Sequence, residues 1–207
     1  MRFTSLLAAA AVLTILSSPP STFAAPPPPD GTISCAIFSD VNAAHPKGIL
    51  FRPQIDADPR NLGIAVTNVG SSCDNAGVAG GKAPITGVAF KLTGRLRNGT
   101  CSALTSPIPV FENARLLVTW RGVNAAGKPM TVSRSRAHIA FASYDTGTHT
   151  LTFITEPLTG PAFVAKTLKV HLGFDYYADV FEAGCPNTNG FVAQSFGTIV
   201  PSSIEVE

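Results

Sequence analysis

Four histidines, His45, His138, His149 and His171, are the first candidates for chemistry in this chain. None stands in an H-x-x-x-H or H-E-x-x-H spacing, which would set two imidazoles on one helix face around zinc. His138, His149 and His171 fall in three separate strand-like segments, where with Asp145 or Asp175 they could converge on a metal ion. A histidine on the polar face of a strand is a commoner arrangement and requires no metal. Asp56 and Asp58 form a carboxylate pair of the kind glycoside hydrolysis uses. They run into Pro59, however, where Asp favours a turn through side-chain-to-backbone hydrogen bonds. With Asp74 and Asn75 they could also line a calcium loop, but no EF-hand spacing is present. No Gly-x-Ser-x-Gly elbow occurs. The residues point away from an enzyme, to no cofactor and to no metal.

Charge carries more information than any motif. Residues 82–136 hold nine basic side chains, among them Arg95, Arg97, Arg134 and Arg136, against Glu112 alone. Residues 137–207 reverse this, with seven acids against Lys166 and Lys169. Arg95/Arg97 and Arg134/Arg136 are i, i+2 pairs, so each pair leaves one face of its strand. If those strands lie close, the four arginines form a cationic patch able to hold phosphate or carboxylate. The bland alternative is a solvated sheet face, partly paired with the C-terminal acids. Nucleic acid is a poor ligand for this surface: net charge is +2 over the whole chain, and basic residues are not interleaved with stacking aromatics.

The elements that must carry these residues centre on Ile85 to Trp120. Val88, Phe90, Leu92 and Leu96 alternate with Ala89, Lys91, Thr93 and Arg95, the period of a half-buried strand. Asn98-Gly99 predicts a type I′ hairpin turn. Leu116, Val118 and Trp120 then alternate with Arg115, Leu117, Thr119 and Arg121. Further strands are expected at Thr32–Phe38, Gly48–Ile55, Leu62–Val69, Met130–Phe141, Thr148–Ile154, Leu168–Phe174 and Phe191–Val200. In the Met130–Phe141 strand, Ile139 and Phe141 share a face with Ser133 and Ser135. Gly70–Pro84 reads as a long loop pinned by Cys73. One short helix is expected near Asp175–Gly184, with Asp175 as N-cap. Asp175, Asp179 and Glu182 would lie near one of its faces, which more often means a solvated surface than a carboxylate site.

The chain opens Met1-Arg2, followed by an apolar run to Leu16 and the small-residue exit Thr22-Phe23-Ala24, a secretory signal over residues 1–24. Ala25 to Asp30, with four consecutive prolines, reads as a polyproline spacer. Residues 31–207 form a single domain. Four cysteines in a secreted chain imply two disulfides. Three pairings are open, of which Cys35–Cys73 with Cys101–Cys185 best ties the N-terminal strands and the centre to the C-terminal part. The strand spacing predicts an all-β fold, a two-sheet antiparallel sandwich that is immunoglobulin-like in a loose sense, with a β-barrel as the alternative.

Gly31-Thr32-Ile33-Ser34-Cys35, Pro84-Ile85-Thr86-Gly87, Cys101-Ser102-Ala103-Leu104 and Leu117-Val118-Thr119-Trp120 resemble a group of secreted actinobacterial β-rich proteins with four cysteines. The resemblance spans residues 31–200 and implies secretion and a β-rich fold; it brings no function. The segment before Cys185 departs from the group, being more acidic and aromatic. The expectation is therefore a secreted, disulfide-stabilised, non-enzymatic β-domain at the cell surface or outside the cell. Its partner would be an anionic envelope component or glycan, held by Arg95, Arg97, Arg134 and Arg136, with no nucleic acid and no transmembrane segment. Two alternatives stand beside it: a carrier of an apolar ligand in a barrel cavity, and a carboxylate- or His-based hydrolase.

Overall fold

A computed structural model describes residues 31–38, 49–53, 55–74, 84–173 and 202–207. Their strands are β1 (Ile33–Phe38), β2 (Ile49–Arg52), β3 (Arg60–Asp74), β4 (Gly87–Gly99) and β5 (Phe111–Val123). β6 (Pro129–Asp145), β7 (Thr150–Thr155), β8 (Leu168–Gly173) and β9 (Ser202–Val206) follow. The helical content among the described residues is one turn, α1 (Cys101–Leu104), whose N-terminus is capped by the Thr100 hydroxyl accepting from the Ala103 N–H at 3.0 Å. The expected signal segment, spacer, helix near Asp175–Gly184 and strand Phe191–Val200 lie outside the described residues. β9 begins beyond the last strand expected from the sequence.

All pairings are antiparallel, and the strands belong to one continuous sheet in the order β1-β9-β8-β7-β6-β5-β4-β3-β2. The sheet curls as a half-barrel, and β1 joins its ends by pairing with both β9 and β3. Two long strands carry the sheet round its corners. β3 pairs with β4 over Arg60–Gly70, and its other edge takes β2 at Gly63–Val66 and then β1 at Val69–Asp74. β6 pairs with β5 up to His138 and with β7 from Ile139 onward. The all-β antiparallel class holds, but the strands do not divide into two separate sheets among the described residues.

Alternation decides what faces inward. Leu62, Ile64 and Val66 of β3, and Val88, Phe90 and Leu92 of β4, are buried. So are Leu116, Val118 and Trp120 of β5, and Leu168, Val170 and Leu172 of β8. Trp120 meets Phe163 edge-to-face with ring centroids 4.8 Å apart, and Phe111 meets Phe153 at 5.0 Å. These rings and branched side chains occupy the concave side as a packed core. An apolar carrier would need that space for its cargo.

Three local expectations are corrected. A bulge between Ile139 and Phe141 shifts the register of β6, so Phe141 turns outward while Ala142 and Tyr144 take the buried positions. Ser133 and Ser135 are buried, and Phe141 does not share their face. Asn98-Gly99 forms no two-residue hairpin: Asn98 alone takes a positive φ, and β5 begins only after α1. Gly99 serves close packing instead, since a Cβ there would lie 2.8 Å from the Leu62 side chain. Gly70 to Asp74 is strand rather than loop, because β1 pairs there and sets Cys35 opposite Cys73.

Candidate functional site

Cys35 and Cys73 form a disulfide across the β1–β3 pair. Cys101, buried at the start of α1, is also disulfide-bonded, and Cys185 lies outside the described residues. No helix among the described residues is long and apolar enough to cross a membrane.

Lys91, Arg95, Arg97, Arg115, Arg121, Arg134 and Arg136 emerge on the convex face of β4, β5 and β6. Register sets them in rows across three strands: Gly87–Arg121–Thr131, Ala89–Thr119–Arg134, Lys91–Leu117–Arg136 and Thr93–Arg115–His138. Arg95 stands opposite Glu112 at the end of the face. Neighbours within a row are about 4.8 Å apart from strand to strand, and successive rows about 6.8 Å apart along the strands. Lys91 and Arg136 therefore flank Leu117, with Arg115 diagonal to both.

β5 stands between the strands that carry the four expected arginines. Arg136 borders Leu117 and Arg134 borders Thr119, both toward the middle of the face. Arg95 and Arg97 sit at its far end, where Arg97 Nε is 3.6 Å from Glu112 Oε1 in an exposed ion pair. Such a pair is weak in water. The four arginines share the face without forming one tight cluster.

A groove of about 600 Å³ opens at the centre of this face. Lys91, Arg115 and Arg136 line it, with Leu117 and His138 on its floor and Glu156 on its wall. The wall is the segment after β7. It hangs on the edge of β6 that β5 leaves free: Arg136 and Thr159 exchange backbone hydrogen bonds at 2.8 Å, and the Glu156 N–H donates to the His138 carbonyl at 2.9 Å. Among the described residues, no carboxylate lies within ion-pair distance of Lys91, Arg115 or Arg136. Three unpaired cations around one groove can hold an anionic group by charge-assisted hydrogen bonds.

The other candidates are accounted for locally. Asp56 accepts from the Asp58 N–H at 2.9 Å and pairs with Arg60, which is turn chemistry. Asp145 accepts from the Gly147 N–H at 2.8 Å and the Thr148 hydroxyl at 3.0 Å; these bonds hold its carboxyl below the usual Asp range. His171 Nδ1 lies 2.9 Å from the Thr152 hydroxyl, while His138 is on the groove floor and His149 in the turn before β7. No group of three or more His, Cys, Asp or Glu side chains able to hold a metal forms among the described residues. Asp175, Asp179 and Glu182 lie outside them.

Lys91 and Arg115 are indistinguishable from the other basic residues in the sequence alone, and no motif marks Glu156. A usable signal existed in the outward phase of each strand. Combined with a meander that puts β5 between β4 and β6, it places Lys91 and Arg115 beside Arg136. No family model, no curated protein and no solved structure matches this chain.

Proposed function

We propose that the chain is a secreted, disulfide-stabilised, non-enzymatic domain that binds an anionic ligand at the cell surface or outside the cell. The contact is the convex face of β4–β6, centred on the groove of Lys91, Arg115 and Arg136. The observation that supports this reading is the trio of groove cations without a carboxylate partner among the described residues. Like charges gathered on one face repel one another, and an anionic ligand relieves that repulsion. The signal-like N-terminus and the disulfides agree with an oxidising, extracellular location.

The test is co-sedimentation with anionic cell-envelope material at physiological salt. Wild type is retained, and Lys91→Gln/Arg115→Gln/Arg136→Gln loses retention at least about tenfold, the loss of a charge-assisted contact worth about 1.4 kcal/mol or more. A parallel variant with Arg95, Arg97 and Arg134 replaced by Gln shows how far the contact extends. Unchanged retention of the groove variant overturns the reading.

A further inference from the structure

The cations of the convex face are not confined to the groove. Each of five successive rows along the strands carries at least one. They are Arg121, then Arg134, then Lys91 with Arg136, then Arg115, then Arg95. Eight residues of strand separate the first row from the last, a run of about 27 Å. A single small anion fills only the groove and leaves the outer rows unused.

Glu112 shares the last row with Arg95, and the other acid stands beside the track rather than on it. Glu112 closes the end beside Arg95 and Arg97, and Glu156 stands on the lateral wall beyond β6. A polyanion is thus favoured along the strands and disfavoured across the wall. The spaces between the cations hold Leu117, Thr93 and Thr119, and no Phe, Tyr or Trp is on these rows. His138 aside, bases find no aromatic platform on these rows, which single-stranded nucleic acid would use. Adjacent rows are closer than the Debye length at physiological salt, about 8 Å, so neighbouring cations feel one another through the solvent. A polymer neutralises several at once, each further contact being intramolecular after the first.

We propose that the ligand is a linear, non-nucleic polyanion that lies along β4–β6 and engages the five rows together. This rests on the reading of the face as an anion-binding surface and specifies the class of ligand. The experiment is titration of the full secreted chain with orthophosphate, tripolyphosphate, long-chain inorganic polyphosphate, polygalacturonate and oligothymidylate at several salt concentrations. Affinity is expected to rise at least about a hundredfold from the single anion to the long chains, with a steeper fall in salt for the polymers. Arg121→Gln/Arg134→Gln, which removes two exposed charges away from the groove, is expected to narrow that ratio about tenfold.

Binding that does not depend on chain length leaves a single-anion groove and overturns the polymer proposal alone. Absence of binding to every probe overturns the anion-binding reading itself. Tighter binding of oligothymidylate than of both polyphosphate and polygalacturonate assigns the track to nucleic acid and overturns the proposal. Gain with both polyphosphate and polygalacturonate supports it, and the stronger of the two tells whether phosphate or carboxylate is preferred.

Discussion

The indole Nε1–H of Trp120 donates to the Ser135 hydroxyl at 2.9 Å, and that hydroxyl donates onward to the Ala162 carbonyl at 2.7 Å. All three residues are fully buried. The relay ties β5, β6 and the segment after β7 into one body beneath the groove. It also explains why a serine stands among apolar neighbours on the concave face: it is the joint that lets an indole N–H and a loop carbonyl be buried satisfied.

Ser135→Ala removes the joint and leaves a buried donor and a buried acceptor without partners. The expected cost is roughly 2–4 kcal/mol in urea unfolding, from the desolvation penalty of each orphaned group. In a Trp120→Phe background the indole N–H is gone and the same substitution costs less, which a double-mutant cycle reads directly. A cost below about 0.5 kcal/mol in the wild-type background would show that the relay is not structural.

Legibility divides along a physical line. The period-2 pattern of Val88–Leu96 and Leu116–Trp120 exposes the inward and outward phases of β4 and β5 directly, because burial of one face writes itself into every second residue. The bulge at Ile139–Phe141 leaves no such mark: one inserted residue moves Phe141 to solvent, and only pairing with β7 reveals it. Asn98-Gly99 is ambiguous in the same way, since glycine suits both a tight turn and close approach, here to Leu62. The groove was half legible. Its floor follows from strand phase, but its wall depends on Thr159 finding the free edge of β6, a long-range pairing with no local signature.

The Cys35–Cys73 bond closes a sequence separation of 38 residues at the place where β1 joins β3. In the chain-entropy account such a closure contributes about 4 kcal/mol. Cys35→Ala/Cys73→Ala is therefore expected to lower the unfolding free energy by that order and to lower Tm. Hydrogen exchange should become fastest in β1, whose pairing joins the two ends of the curled sheet. Equal exchange in β1 and β4 after removal of the bond would contradict this account.

Asp145 shapes the turn into β7 by accepting from Gly147 and Thr148, and these bonds depress its carboxyl. A group depressed in the folded state stabilises above its unfolded value, near about 3.9, and loses that contribution as pH falls through its folded value. Asp145→Asn is expected to melt below wild type at about pH 7, with the gap closing as the pH drops below about 3.9. A gap that stays constant from neutral to acid pH would mean that the charge of Asp145 does not support the turn.

The segment that walls the groove carries its own backbone test. Gly160 has φ +115°, and a Cβ there would lie 2.7 Å from the Arg134 carbonyl oxygen, so Gly160→Ala must push the wall off β6. Ala165, exposed at φ +62°, sits in the left-handed region at a cost that glycine does not share. Gly160→Ala is expected to cost about 1–3 kcal/mol and to weaken anion binding although no charge is removed. Ala165→Gly is expected to gain about 0.5–1 kcal/mol and to leave binding as it was. Neither substitution removes a charge, and the two should move stability in opposite directions. If Gly160→Ala keeps full affinity while destabilising the fold, the wall plays no part in recognition, and the cationic rows alone hold the ligand.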